Sequence, residues 1–331
     1  MSACPAGVDA QIAEFLAPRN ARHLGPLSGD ASTRRYFRIE ERGSTRVLAL
    51  YPEPFDDERP SFVVVRALLA GYGLPVPEIV ETDGRRGIMV LQDLGDLTLQ
   101  EALREAGTGR SEDLYREAVD QLVLLQQESH RSPTRAACFH VAFDIEKLSW
   151  ELHYFEKHFL EGHLGCALSV EDRATLAEGF HCLAEEIASW PRVLCHRDFH
   201  SRNLMLHQDT LYWIDFQDAR MGPATYDLAS LLRDSYVRLP EEFIAEMAEE
   251  FRQRAVAGEP RDTFQRRFEL MSVQRNLKAL GTFGFMASVR GNQVYLPYIS
   301  PTLANARRNL VRYPELEGVR KVLARHIVEI R

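Results

Sequence analysis

The sequence predicts an α+β chain of two lobes, a small antiparallel-sheet N-terminal lobe and a larger, mainly helical C-terminal lobe, with the active site between them. Three observations predict it. Short extended runs separated by Gly, Pro and polar turns fill the chain up to about residue 94. From Thr98 onward, apolar residues recur at helical spacing. The 331 residues are also enough for two substantial cores. The boundary falls at Leu94 and Gly95, dividing the chain into a lobe of residues 1–94 and one of 95–331.

In order, residues 9–18 read as an amphipathic helix capped by Asp9 and stopped at Pro18. Small and polar residues from Ser28 to Thr33 then separate two extended segments, the second running from Tyr36 to Glu40. Such a hairpin tip lets backbone N–H groups approach phosphate oxygens closely. Thr45–Tyr51 is the next strand, residues 61–70 are helical, and Glu78–Thr82 and Gly87–Asp93 are strands around a turn at Gly84. Helices follow over Leu99–Ala106, Glu112–Glu128, Asp144–Phe159 and Val170–Ser189. After a central stretch from Leu194 to Ala219 come helices over Thr225–Val237, Pro240–Val256, Asp262–Leu280, Pro301–Tyr313 and Pro314–Ile330.

Composition narrows the function. The 45% hydrophobic and 27% charged content is that of an ordinary folded protein. A net charge of -8, with 40 basic residues interspersed among 48 acidic ones, argues against a general nucleic-acid binder. No apolar run is long enough to cross a bilayer and the N-terminus has no leader pattern, so the expected location is the cytoplasm, with no membrane partner. The five scattered cysteines form no CxxC pair and read as reduced thiols. Cys195, although beside His196, reads as a small residue ending a buried strand. His153, His158 and His163 recur every five residues, which does not put them on one helix face as a metal site would need. Oligomeric state is left open.

The chemistry lies in Leu194–Ala219, LCHRDFHSRNLMLHQDTLYWIDFQDA, read as a strand end, a polar loop, a short hairpin and a second acidic loop. Asp198, Asn203 and Asp215 bring a carboxylate, an amide and a second carboxylate together. That set suits one hydroxyl to be activated and hard cations to be held near phosphate oxygens, which is the chemistry of a phosphotransferase. Neither GxGxxG nor GxxxxGK[ST] occurs, so a nucleotide would be held in some other way.

His196-Arg197-Asp198, Asn203 and Asp215-Phe216 have the order of a kinase catalytic loop and metal loop, and the chain resembles the protein-kinase-like fold. His200 stands where protein kinases usually carry Lys, Gln217 replaces the metal-loop glycine, and no APE-type segment follows. With Gly222-Pro223 and Tyr226-Asp227-Leu228-Ala229, the pattern is closer to the aminoglycoside phosphotransferase and choline kinase branch. The strings LSGDASTRRYFRI, VLQDLGDLTL, IDFQDARMGPATYDLASLLRDSYV and QRNLKALGTFGF are similar to a narrower group within it. These are bacterial kinases of the anomeric hydroxyl of N-acetylmuramate and N-acetylglucosamine, which feed peptidoglycan recycling.

The resemblance implies ATP and Mg2+ as cofactors and a small amino sugar as substrate. It implies that Asp198 accepts or orients the acceptor proton and that Asn203 and Asp215 hold magnesium. His196, Arg197, His200 and Asp227 would brace the catalytic loop. Ser28, Gly29, Asp30, Ala31, Ser32 and Thr33 would cover the phosphates, and Gln92, Asp93 and Leu94 would form the adenine hinge. Substrate contacts are expected from Arg233, Asp234, Gln274, Arg275 and Asn276, with Tyr or Trp rings as an apolar wall. The strand Thr45–Tyr51 lacks the lysine this fold uses for phosphate, leaving Arg34, Arg35 or Arg46, whose geometry differs, or no residue at all in its place. The competing readings are a kinase for an aminoglycoside, an amino alcohol or homoserine, a nucleotide-binding pseudokinase, and a protein kinase.

Overall fold

A computed structural model describes residues 6–27, 34–56 and 61–331, and of residues 6–10 only the backbone. The chain divides into two compact units, Met1–Leu97 with Met205–Gln217, and Thr98–Leu204 with Asp218–Arg331.

The first unit is built on a five-stranded antiparallel sheet. Helix α1 (Ala6–Leu16) precedes strands β1 (Arg22–Leu27), β2 (Arg35–Glu41) and β3 (Ser44–Leu50), and helix α2 (Ser61–Gly71) precedes β4 (Ile79–Asp83) and β5 (Ile88–Gln92). The strand order is β1-β2-β3-β5-β4. Strand alternation gives the sheet its apolar face, because residues two apart point the same way. Phe37 pairs with Leu48, Leu48 with Val90, and Leu50 with Ile88, so these side chains form rows across three strands. With Ile12, Phe15 and Leu16 of α1 they make one buried cluster.

In the second unit, α3 (Leu99–Glu105) opens with a capping box, in which Thr98 and Glu101 each satisfy the other's backbone N–H. Then come α4 (Thr108–Arg131), α5 (Ile145–Phe155), a π-helical turn at Glu156–His163 and α6 (Val170–Ala188). Strand β6 (Arg192–Cys195) leads into the central loop, and the short strands β7 (Leu204–His207) and β8 (Thr210–Trp213) that follow it belong, from Met205 on, to the first unit. Residues Gln208 and Asp209 between β7 and β8 both take positive φ (48° and 61°), as a two-residue hairpin turn of the primed type requires. Strand β9 (Arg220–Pro223) pairs antiparallel with β6. Helices α7 (Thr225–Leu232), α8 (Glu241–Ala255), α9 (Arg261–Ser288), α10 (Ile299–Arg312) and α11 (Glu317–His326) complete the unit.

Two helix ends differ from the sequence expectation for identifiable reasons. Helix α9 does not stop at Leu280 but runs to Ser288, because Gly281 is a packing glycine and not a breaker. A Cβ there would lie 2.9 Å from the backbone of Phe155, and one at Gly284 would strike the carbonyl of His158, so both glycines let α9 lie against α5 and the π-turn. Helix α7 ends at Leu232 instead of continuing to Val237. The Asp234 carboxylate just beyond it accepts from the backbone N–H groups of Ser201 and Tyr236 at 2.9 Å each, which diverts the chain into the central loop's support.

Candidate active site

The second unit holds the loop that follows β6. Asp227, in the first turn of α7 and fully buried, reaches beneath it. Its Oδ2 accepts from His196 N at 2.6 Å and its Oδ1 from Arg197 N at 2.9 Å. Two charge-assisted bonds to consecutive amides fix the loop at the point where Arg197 adopts a left-handed φ of 89°. Burial pushes the Asp227 carboxyl up to about 7, against the pull of those two amides and of Arg275.

Asp198 is next. Its backbone N–H points to His196 Nδ1 at 3.3 Å, and its carbonyl accepts from Asn203 Nδ2 at 2.9 Å. The Asn203 amide nitrogen also lies 3.4 Å from His200 Nε2. The Asp198 side chain, about one-fifth exposed, meets three cations: Lys278 Nζ at 2.9 Å from Oδ1, Arg275 at 3.7 Å from Oδ1, and Arg197 Nε at 3.7 Å from Oδ2. Burial alone would raise its pKa, but Lys278, Arg197 and Arg275 hold it well below the usual carboxylate range. Burial pushes His200 down to about 3, so its ring is neutral.

Each of the three cations has its own anchor. Arg197 pairs with Asp218 at 2.7 Å, and Arg275 donates to the Tyr226 hydroxyl at 2.6 Å. Lys278 makes its hydrogen bond to Asp198 itself. Cys195 is buried, its thiol donates to the Pro223 carbonyl at 3.5 Å, and burial pushes its pKa up. It is a packed thiol.

The five residues expected to contact substrate are all buried, between 0 and 7% exposed, and each makes a hydrogen bond within the unit, while Arg233 Nε, Gln274 Oε1, Arg275 Nε and Asn276 Oδ1 find no hydrogen-bond partner among the described residues. Gln274 donates to Glu151 at 2.8 Å and Asn276 to the Arg233 carbonyl at 3.0 Å. Asp234 carries the amides of Ser201 and Tyr236, and Arg233 makes a two-pronged pair with Glu241 at 2.7 and 2.8 Å. Arg233 lines a cavity of about 140 Å³ with Glu241, Phe264, Phe268 and Arg308, away from Asp198. Of the five, Arg275 is the one brought next to Asp198. Among the aromatic neighbours of the loop is Tyr236, half-buried, 5.4 Å from the His200 ring and 4.0 Å under the Arg202 guanidinium.

The first unit holds the other acidic loop. Asp215 is exposed, adopts a left-handed φ of 60° and accepts from Gln217 Nε2 at 2.7 Å. Phe216 is fully buried and stacks on Phe62 of α2 at 4.7 Å. Burial works against the Arg34 charge, yet Tyr36, Tyr51 and Asp215 keep its pKa above the ordinary guanidinium value. Of the three arginines considered as substitutes for the missing lysine, Arg34 is the one held in this field.

Gln92 ends β5, its N–H bonded to the Glu78 carbonyl at 2.9 Å. Asp93 is gripped by Arg38 at 2.8 and 3.0 Å, and the Leu94 carbonyl lies 3.2 Å from His207 Nδ1. The segment Ser28–Thr33 lies outside the described residues.

Lys278 is the residue that sequence reasoning missed. A signal was present: the chain has only four lysines, Lys147, Lys157, Lys278 and Lys321. One of them follows Gln274, Arg275 and Asn276 in a helix buried on most sides, where a run of polar side chains needs partners.

The model of the phosphotransferase enzyme family matches residues 23–263. An N-acetylmuramate/N-acetylglucosamine kinase of Pseudomonas aeruginosa is 35% identical over 306 residues, covering 91% of this chain and 88% of that enzyme. The enzyme of the same name from Neisseria meningitidis is 34% identical over 295 residues, covering 87% and 86%. Among solved structures, the gentamicin–APH(2'')-IIa complex superposes with a TM-score of 0.60 over 92% of this chain and 97% of that one. At 15% identity the likeness is one of fold, the protein-kinase-like one.

Proposed function

We propose that this chain, which belongs to the phosphotransferase enzyme family, phosphorylates the anomeric hydroxyl of N-acetylmuramate and N-acetylglucosamine at the expense of ATP. The products are the sugar 1-phosphates, and the setting is peptidoglycan recycling in the cytoplasm. The observation that carries the choice of substrate is the 35% identity to the Pseudomonas enzyme across 91% of the chain. The reaction type is supported independently by the set Asp198, Asn203 and Asp215.

In this reading residues 1–94 bind the nucleotide and residues 95–331 carry catalysis and the acceptor. Asp198 orients the acceptor hydroxyl and takes its proton. An anomeric hydroxyl is more acidic than an ordinary alcohol, which suits a carboxylate so strongly held in its charged form by Lys278, Arg197 and Arg275. His196, Arg197, His200 and Asp227 keep the loop in place. Arg275 steers Asp198, and Arg233, Asp234, Gln274 and Asn276 hold the segments around it. Tyr236 offers the sugar an aromatic wall. Asn203 and Asp215 fit Mg2+, since an amide oxygen and a carboxylate are hard ligands, and the bound ion would neutralise nucleotide phosphate charge. Gln92, Asp93 and Leu94 are the proposed adenine contact and Ser28–Thr33 the proposed phosphate cover.

The test is chemical. Phosphorus NMR of the product made from either amino sugar and ATP should show an acid-labile, alkali-stable 1-phosphate. A 6-phosphate product, or no turnover of either sugar, would overturn the assignment.

A further inference from the structure

Three cations surround Asp198, and they are not equivalent. Arg275 is 7% exposed and fixed by the Tyr226 hydroxyl, with its guanidinium carbon 4.6 Å from the centre of the Tyr226 ring. Arg197 is committed to Asp218. Both guanidinium groups stand 3.7 Å from the Asp198 carboxylate, beyond hydrogen-bonding distance. Lys278 is different in three ways. Its Nζ lies at 2.9 Å from Oδ1, and its side chain is 19% exposed, matching the 20% of Asp198, so the two share the open edge of the site. An ammonium also carries three donors on a rotatable stem, and the bond to Oδ1 uses one.

We propose that Lys278 is a catalytic residue of the phosphoryl transfer, one N–H holding Asp198 Oδ1 and the others meeting an oxygen of the phosphoryl group in flight. The argument is one of reach. The acceptor oxygen must hydrogen-bond to the Asp198 carboxylate and, in the transition state, lie in line with the phosphorus it attacks. A group bonded to Asp198 Oδ1 is therefore within one side-chain length of the equatorial phosphoryl oxygens, where charge is concentrated. As the bond from the acceptor oxygen to phosphorus forms, the bond from phosphorus to the bridging oxygen breaks. The electron pair leaves with ADP, and the acceptor proton passes to Asp198 Oδ2, the oxygen Lys278 does not occupy. Helix α9 thus delivers, from 80 residues downstream, a lysine to the neighbourhood of a loop that carries His200 and no lysine of its own.

The inference rests on the kinase reading above, and its test separates the two. Lys278→Met and Lys278→Arg are compared with the wild type at saturating ATP and sugar, alongside circular dichroism and ADP affinity. We expect Lys278→Met to lose about 10²–10³-fold in kcat, the cost of removing one donor aimed at developing charge. The acceptor KM and ADP affinity should stay within about threefold, and Lys278→Arg should retain at least about tenfold more turnover than Lys278→Met, since it keeps the charge. A residue that only braced the fold would move stability or KM instead. The proposal is overturned if Lys278→Met keeps kcat within about threefold, if the loss sits in KM, or if Arg serves no better than Met. Should Lys278→Met fail to fold, Lys278→Gln takes its place. If the wild type turns over no amino sugar, the acceptor reading fails, and the same comparison is made on ATP hydrolysis without sugar, where water is the acceptor and Lys278 has the same task.

Discussion

Asp198 and Asp215 lie on two loops that are built on different terms. The Asp198 loop is fixed from below by buried side chains, Asp227 under its first two amides and Asp234 under Ser201, and its carboxylate is framed by Lys278, Arg275 and Arg197. The Asp215 loop is held chiefly by its own backbone. Asp215 is exposed, takes a φ of 60° that non-glycine residues rarely adopt, and has a neighbour's amide, Gln217, on one oxygen. Phe216, packed on Phe62, roots that loop in a core. One carboxylate is thus preorganised by electrostatics and the other by conformation. A group that must meet a proton at a defined angle benefits from rigid surroundings, whereas a metal ligand gains its last constraint from the ion it binds.

The comparison is broken most severely at Asp198. Asp198→Asn keeps the shape of the side chain and its neighbours but removes the proposed proton acceptor. Turnover should fall by about 10³–10⁴-fold, near the upper range for a general base, while ADP still binds. Calorimetric titration with ADP and a coupled assay of its release are enough to check this. Near-normal turnover would mean that the loop is not catalytic.

The support beneath the loop gives the next largest effect, and it is readable in stability as well as rate. Asp227→Ala leaves the amides of His196 and Arg197 buried without acceptors, at a cost of about 1–3 kcal/mol each, and should lower the melting temperature along with turnover. Asp227 also carries a pH signature of opposite sign to that of Asp198. Its folded pKa of about 7 lies above its unfolded value of 3.8, so the folded protein retains a proton that the unfolded chain loses. The stability it contributes is complete below about pH 4 and declines as pH rises to about 7. Asp198, with its folded pKa lowered, contributes stability above its unfolded pKa and loses it as pH falls below. Urea unfolding between pH 5 and 8 should therefore show the wild type losing stability relative to Asp227→Asn. Parallel curves for the two proteins would contradict the raised pKa.

The same contrast explains what could be read before the structure. The Asp198 loop was legible because its residues are consecutive or fixed by chemistry at short spacing, and so were the strands of the first unit, as short extended runs between Gly, Pro and polar turns. Partners contributed from far along the chain were not. Lys278 lies 80 residues from Asp198, and nothing in local periodicity joins them. Arg233, Asp234, Gln274 and Asn276 drew attention as polar residues in helical sequence, but a one-dimensional pattern does not show the partners each has inside the unit, Glu241, the amides of Ser201 and Tyr236, Glu151 and the Arg233 carbonyl. Gly281 misled for a related reason. Its effect depends on Phe155, which packs against it from another helix.

Arg34 offers the gentlest way to sharpen the comparison, because it is a cation that feels the Asp215 charge. It is half-buried, lies with its guanidinium 5.6 Å from the Tyr51 ring, and feels Asp215 as one of the groups that raise its pKa. If the Asp215 loop is set by backbone conformation, removing this charge should leave the loop in place and weaken only what the charge binds. Arg34→Met should then bind ADP about tenfold less tightly, which corresponds to ~1.4 kcal/mol, with kcat at saturating ATP little changed. Arg34→Lys distinguishes a point charge from a planar fork: it should recover affinity if charge alone matters, and should not if two parallel hydrogen bonds to phosphate are required. Unchanged affinity in both variants would remove Arg34 from nucleotide binding. A collapse of kcat in Arg34→Met would instead mean that the Asp215 loop depends on its cation as strongly as the Asp198 loop does, and the distinction between the two loops would fail.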